Sequence, residues 1–241
     1  MEVFITGATG YVGRAVARAF RRAGHEVWGL CRSEAKALTL ARGEIHPVLG
    51  DIAKPDTYAK RAEACCVLVH AAADMQAGVV GPDRVVVDAF LGAARRGAQP
   101  KTLVFTSGVW VHGDTGGALV DETAPLAPPK LVAWRPAHEQ LVLGAPGARG
   151  LVIRPGCVYG GQGGLTGQWF QGAYRDKALR VVGDGRNRWA MVHVEDLADA
   201  YVRAAESGLG GEVFNVADRS RCAVDEMAGA AAKAAGYAGR I

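Results

Sequence analysis

The sequence predicts an α/β fold, a doubly wound parallel sheet with helices on both faces and a small C-terminal lobe. Three observations carry this. Short apolar runs alternate with stretches of helical spacing along most of the 241 residues. The run 65–70 is apolar almost throughout, as a strand covered on both faces must be. The least regular segments, 108–130, rich in Gly and Pro, and 156–190, rich in Gly, follow the fifth and sixth strands, at the edge where such sheets bind ligands.

Val3-Phe4-Ile5-Thr6 reads as the first strand. Residues 11–23 then place Val12, Ala15, Val16, Ala19 and Phe20 at helical spacing, with Arg14, Arg18, Arg21 and Arg22 on other faces. Gly24 suits the position just past a helix end, where a left-handed backbone is needed. Residues 27–31 and 45–49 read as the second and third strands, and 65–70 as the fourth. Pro82 suits the first position of the next helix, which runs to about Arg96. Residues 102–106 and 151–154 read as the fifth and sixth strands, and Val213-Phe214-Asn215-Val216 as a late one. The expected division is a core over 1–155 and a mixed segment over 156–241. The latter adds late core elements and a small lobe from 156–190 and from about 210 onward.

Composition excludes several classes. Hydrophobic residues are 49% and charged residues 22%, which argues against disorder. Glycine, 33 residues, is about double the usual ~7% and has no collagen period, so the glycines mark tight turns. A net charge of +4, dispersed along the chain, gives no reason to expect a nucleic-acid partner. No run approaches the ~18 apolar residues of a membrane span, so no membrane partner is expected. Cys31, Cys65, Cys66, Cys157 and Cys222 form no CxxC pair and no zinc spacing, which suits reduced thiols. No metal motif is present. The chain opens directly on a strand, so we expect an unprocessed cytoplasmic protein.

The chemistry begins at Thr6-Gly7-Ala8-Thr9-Gly10-Tyr11-Val12-Gly13, between the first strand and first helix. Gly7 permits the tight turn, Gly10 lets the backbone approach a diphosphate, and Gly13 lets the helix pack close to the sheet. Amides at the helix start, together with the helix dipole, stabilise the phosphate charge. A carboxylate about 20 positions on would bind the ribose of NAD. Here, 19 positions after Gly13, stands Arg32, whose planar donor fork suits the 2′-phosphate of NADP. NADP is therefore favoured, with NAD as the alternative. The competing reading of Arg32 is a surface arginine in a chain with 21 Arg and 7 Lys.

Further motifs complete a pattern: Gly50-Asp51-Ile52, Val69-His70-Ala71-Ala72-Ala73, Phe105-Thr106-Ser107-Gly108, Arg154-Pro155-Gly156-Cys157-Val158-Tyr159-Gly160, Gly183-Asp184-Gly185, and the run from Val192 to Ala198 with Phe214-Asn215-Val216. With these the chain resembles the extended short-chain dehydrogenase/reductase superfamily, the NAD(P)-dependent epimerase/dehydratase group, from residue 1 to about 230. The resemblance implies a Rossmann-type fold and a cofactor-binding set of Gly7, Thr9, Gly10, Tyr11, Val12, Gly13, Arg32, Asp51, Ile52, Ala71, Ala72, Ala73, Ser107, Pro155, Gly156 and Val158. Asp51 and Ile52 would flank the adenine, although Asp51 also suits a helix N-cap. Residues 71–73 would line the path to the nicotinamide ribose, and 155–158 would edge the nicotinamide. The lobe looks short beside the family's, and the sequence leaves open whether the chain is truncated. A homodimer is a fold-level expectation.

The chain departs from the family at the Tyr-x-x-x-Lys pair, which transfers a proton and holds the ribose. Ser107 matches the family's Ser. Residues 131–143 read as the matching helix, with Leu131 at the Tyr position and Arg135 at the Lys position. A register three residues later pairs Trp134 with His138 instead. Leu donates no proton, and Arg holds a hydroxyl or an anion but is no base. Ser107 and Arg135 are therefore the catalytic candidates. Tyr159, His112, His138 and His193 are other proton sources, each first read as structural. Arg186 and Arg188 could hold an anionic substrate group or simply be solvated. A hydrolytic set of Ser107, His112 and Asp121 is disfavoured because no G-x-S-x-G elbow is present. The expected function is an NADP(H)-dependent oxidoreductase or epimerase acting on a small carbonyl or alcohol substrate by an atypical proton route. The alternative is a non-catalytic NADP-binding redox sensor or scaffold.

Overall fold

The computed structural model describes residues 1–73, 80–97, 99–161, 163–237 and 239. The chain begins with β1 (Glu2–Thr6), α1 (Tyr11–Arg22), β2 (Glu26–Cys31), α2 (Glu34–Ala41) and β3 (His46–Leu49). It continues with α3 (Ala59–Ala64), β4 (Val67–His70), α4 (Val80–Arg96), β5 (Lys101–Thr106), α5 (Arg135–Leu143) and β6 (Ala148–Pro155). Then come β7 (Cys157–Tyr159), α6 (Gly164–Gln171), β8 (Met191–His193), α7 (Val194–Glu206), β9 (Glu212–Val216) and α8 (Val224–Ala234).

Seven strands form one parallel sheet in the order β3-β2-β1-β4-β5-β6-β9. The predicted doubly wound, Rossmann-type sheet is therefore present. The late strand joins this sheet beside β6. β7 and β8, three residues each, form a separate parallel pair that the apolar pattern did not reveal.

Local chemistry explains the elements. Gly24 has φ +83°, and the chain closes α1 with His25 N donating to Phe20 O (3.0 Å), so the predicted helix stop is met. Side chains alternate across β1. Val3 and Ile5 pack in one cluster with Val16, Phe20, Leu197 and Tyr201, from α1 and α7. Phe4 faces the other layer, with Leu68, Val86 and Phe90. Complete burial of a residue such as Phe4 or Phe20 contributes about 1.5–3 kcal/mol. A third cluster, Trp169, Ala173, Leu179, Val224, Ala228, Ala231 and Ala232, joins α6 to α8.

Two helix boundaries differ from expectation. Pro82 is the third residue of α4 as described, within its first turn rather than at its first position. Residues 131–143 are not one helix: a 3-10 turn covers Lys130–Val132, and α5 begins at Arg135. Pro136 is the cause, since its ring clashes with the carbonyl four residues earlier and stops the helix from extending backwards.

The sheet order reverses between β1 and β4, which opens a crevice at their carboxyl ends. Thr6 and His70 are paired across it, and the glycine-rich turn follows Thr6 directly.

Candidate functional site

The glycine turn is backbone packed on backbone. Gly7 has φ +75°, and a Cβ there would overlap the Ala71 carbonyl. A Cβ at buried Gly13 would overlap the Gly7 carbonyl. Gly10 differs: it is exposed, and a Cβ there would meet only Gly7 O, at 3.2 Å. It is the N-cap of α1, with no capping side chain and no carboxylate in the first turn. Gly10 N donates to Gly7 O (2.8 Å), which fixes the turn. A cradle open only at an uncapped helix start fits a dinucleotide diphosphate. Thr9 and Val12 are half-buried on its rim. The Tyr11 hydroxyl donates to Gly160 O (2.6 Å), so this side chain joins the cradle to the loop after β7, and burial pushes its phenol up.

On the β2 side, Arg32 is exposed immediately past the strand, and Ser33 Oγ caps α2 by accepting from Lys36 N (3.4 Å). Asp51 Oδ1 accepts from Ala53 N (2.9 Å), and Asp51 N donates to Thr57 Oγ1 (3.1 Å). The carboxylate thus shapes its own turn ahead of Pro55–Thr57, a short 3-10 segment. Ile52 O accepts from the Tyr58 hydroxyl (3.1 Å).

On the other side of the crevice, Ala71 N donates to Thr6 O (3.2 Å), and residues 71–73 run beside the glycine turn. Pro155 ends β6, and Gly156 N donates to Val216 O (2.9 Å). A Cβ at Gly156 would lie 2.5 Å from Ala190 O, so this crossing admits only glycine. Val158 is half-buried in β7.

Arg135 reaches the end of β5 next to Ser107. Ser107 is 4% exposed, and its Oγ is buried without a hydrogen-bond partner. Arg135 Nη1 donates to the carbonyl of the preceding Thr106 (2.8 Å). The Thr106 hydroxyl donates to His70 O (2.6 Å) and lies 2.6 Å from the Tyr201 hydroxyl. Burial lowers the Arg135 pKa, and Asp83, Tyr201 and Glu139 oppose that shift.

Behind these groups lies a buried polar chain that the sequence reading did not assemble. Asp83 Oδ2 is 2.6 Å from His138 Nδ1, Asp83 Oδ1 is 3.0 Å from His70 Nε2, and His70 Nδ1 is 2.7 Å from Thr6 Oγ1. Burial pushes the Asp83 carboxyl up, but the hydrogen bonds from His138 and His70 outweigh it and hold the pKa below its usual value. With Asp83 ionised, both imidazoles donate to it. A second buried pair is bidentate: Arg154 Nε donates to Glu139 Oε1 (3.0 Å) and Nη2 to Oε2 (2.6 Å), joining β6 to α5. Thr6 and His70 are both strand-end polar residues, the only signal that could have marked the first chain; Asp83 and His138 come from distant helices.

The remaining candidates separate. Leu131 lies in the 3-10 turn, 68% exposed, so Leu131 and Arg135 are not on one helix face. His138 is committed to Asp83. His193 Nδ1 caps α7 by accepting from Glu195 N (3.3 Å), and its ring meets Tyr159 edge-on at 5.3 Å. His112 Nε2 lies 3.3 Å from Asn215 Oδ1, and its Nδ1 is buried without a partner. Asp121 Oδ1 accepts from Thr123, so Ser107, His112 and Asp121 form no hydrogen-bonded triad. Arg186 points to solvent, 3.7 Å from Asp184. Arg188 pairs by its backbone with Ala223. Among the described residues no helix is long and apolar enough to cross a membrane, and no group of three or more His, Cys, Asp or Glu is placed to hold a metal ion.

Comparison with known proteins agrees with this geometry. The sequence model of the NAD dependent epimerase/dehydratase family matches residues 3–217. A 4-hydroxy-2-methyl-3-oxo-4-farnesyl-3,4-dihydroquinoline-1-oxide ketoreductase from Stigmatella aurantiaca is 34% identical over 235 residues, covering 90% of this chain and 68% of the relative. A 2-alkyl-3-oxoalkanoate reductase from Stenotrophomonas maltophilia is 30% identical over 232 residues, covering 86% of this chain and 66% of the relative. The structure of a dTDP-glucose 4,6-dehydratase double mutant from Streptomyces venezuelae, with NAD bound, matches at a TM-score of 0.84 and 20% identity, covering 98% of this chain and 81% of that one, a likeness of fold.

Proposed function

We propose carbonyl reduction with NADP(H) as the activity of this chain, which belongs to the NAD-dependent epimerase/dehydratase family. Membership makes it an NAD(P)-dependent oxidoreductase or epimerase-like enzyme with a nicotinamide dinucleotide as cofactor. Both relatives described above carry names of ketone reductases, which supports reduction as the direction of the chemistry.

Residues 7–13 would hold the diphosphate, Asp51 and Ile52 the adenine, and residues 71–73 and 155–158 the nicotinamide end. Arg32 would meet the 2′-phosphate, the basis for NADP over NAD. The bound, reduced nicotinamide supplies a hydride to a carbonyl carbon. Ser107 Oγ donates a hydrogen bond to the carbonyl oxygen and stabilises the charge that develops there. Arg135 fixes the end of β5 through the Thr106 carbonyl and adds positive charge beside that oxygen. With a leucine in the Tyr position, the proton reaches the oxygen from water through the Ser107 hydroxyl.

The observation that carries this reading is the Ser107 hydroxyl, buried at the ligand edge with no partner of its own. The test is NADPH consumption against a panel of ketones and aldehydes. Ser107→Ala should lower kcat about 10²–10³-fold, the usual loss for one oxyanion donor, and Ser107→Thr should retain part of the rate. A second reading, a non-catalytic NADP-binding sensor or scaffold, is favoured by the exposed Leu131 in the Tyr position. It requires NADP affinity by calorimetry and no turnover anywhere in the panel.

A further inference from the structure

Three residues beyond Ser107, in the turn Val109–His112, stands Trp110 with 37% of its surface exposed. Its ring centroid is 6.3 Å from that of Trp189, which is 6.3 Å from Trp169 with the last two planes only 8° apart. Trp169 is buried in the cluster that joins α6 to α8. The three indoles form a ladder from the end of β5 into the lobe.

The ladder is held by a polar edge. The Trp189 N–H donates to the Asn187 side-chain oxygen (2.9 Å), while the Asn187 amide donates to Val182 O (3.2 Å). With its N–H engaged inside the protein, Trp189 presents carbon to a ligand, and Trp110 adds a partly exposed indole beside it. Leu165 and Phe170, on the same helix as Trp169, and Val182 add exposed apolar surface to the lobe. Arg186 is 85% exposed and pairs only loosely with Asp184, so it is not fixed to hold an anion.

Three residues of chain span at most about 11 Å. A carbonyl oxygen at Ser107 thus places the rest of its molecule within reach of Trp110. We propose that the substrate is a ketone with a large apolar portion, an alkyl chain or aromatic ring, which lies along Trp110 and Trp189. This rests on the reductase reading and names its substrate class. An indole face buries such a chain with no need for specific donors, and the stacking of Trp189 on buried Trp169, with Trp110 tilted against it, keeps that face fixed.

The test measures kcat/KM with NADPH for linear methyl ketones from 2-butanone to 2-decanone, with a polyhydroxylated ketone as the polar comparison. Burial of each added CH2 should raise kcat/KM about three- to fourfold until the wall is covered, chiefly through KM. Trp110→Ala should cut the factor per CH2 to below about 1.5, and Trp110→Phe should restore most of it. Circular dichroism checks that each variant is folded. Turnover with no dependence on chain length, a preference for the polar ketone, or an unchanged slope in folded Trp110→Ala would each overturn the proposal and leave the reductase reading standing. Absence of turnover with every ketone would instead overturn the reductase reading. In that event, ketone affinity in the presence of NADP, followed by tryptophan fluorescence, decides the apolar site by the same chain-length criterion.

Discussion

The two sides of the crevice are built from different materials. On the nucleotide side, Gly7, Gly13 and Ala71 bring backbone against backbone, and side chains contribute little beyond the rim. On the substrate side, Ser107 and Arg135 are held by side chains locked to other side chains: Glu139 with Arg154, and Asp83 with two histidines. The glycine cradle admits almost no substitution and uses backbone amides in place of charged side chains. The second depends on ionised groups kept out of water, where loss of one partner strands the other.

The largest expected effect breaks the substrate side. Glu139→Gln leaves the buried Arg154 guanidinium uncompensated, and urea unfolding should show a loss of about 3–5 kcal/mol. An unfolding free energy within 1 kcal/mol of wild type would mean that the pair is not what holds α5 to β6.

Asp83→Asn should cost about 1.5–3 kcal/mol, the range for hydrogen bonds to a charged group. Its pH dependence sharpens the point. The folded carboxyl titrates below its unfolded value of about 3.9. Its contribution is therefore complete above that pH and is lost as pH falls through the folded pKa. The stability gap between wild type and variant should be full at pH 7 and close in acid. A gap that widens on acidification would reverse the assignment of charge.

On the nucleotide side, Arg32→Asp should remove the NADP preference. The loss of a charged contact worth about 1.5–3 kcal/mol weakens NADP roughly 10- to 100-fold, and NAD binding should improve relative to it. Calorimetry with both dinucleotides reads this directly; equal NADP affinity before and after would end the 2′-phosphate role.

The smallest expected change in stability is Gly13→Ala, about 1–3 kcal/mol, the range for forcing an extra carbon into a packed site. Even so, dinucleotide binding should fall steeply, because the Gly7 carbonyl must move. Gly24→Ala makes the contrast, since a Cβ there meets nothing within 4 Å and only the left-handed backbone is strained. If both variants bound the cofactor as wild type does, backbone crowding would not be what shapes the cradle.

The same division decides what could be read in advance. Glycines three apart between a strand and a helix are a local signal, so the cradle was legible from residues 6–13 alone. The sheet was legible too, because its covered strands are continuous apolar runs such as Val67 to Val69. β9 was visible as a strand, but its place beside β6 was not, since burial pattern does not specify a neighbour. β7 and β8 are too short to show a period. The helix expected over 131–143 begins only at Arg135, because Pro136 stops it from extending backwards. Asp83, a first-turn acid of α4, meets its partners only in the fold, because His70 and His138 stand 13 and 55 residues away in the sequence. The indole ladder likewise draws residues 110, 169 and 189 from separate segments.

The pairing of β7 with β8 has a consequence for how this protein can diversify. Cys157 N donates to Ala190 O (2.7 Å), so the chain leaves on its excursion through 160–190 and returns to an adjoining position. Lengthening a flexible loop costs little, about 0.6 kcal/mol for each doubling. Insertions there would leave the seven-stranded register untouched while redrawing the wall that a ligand meets. Novelty in this chain has an inexpensive address.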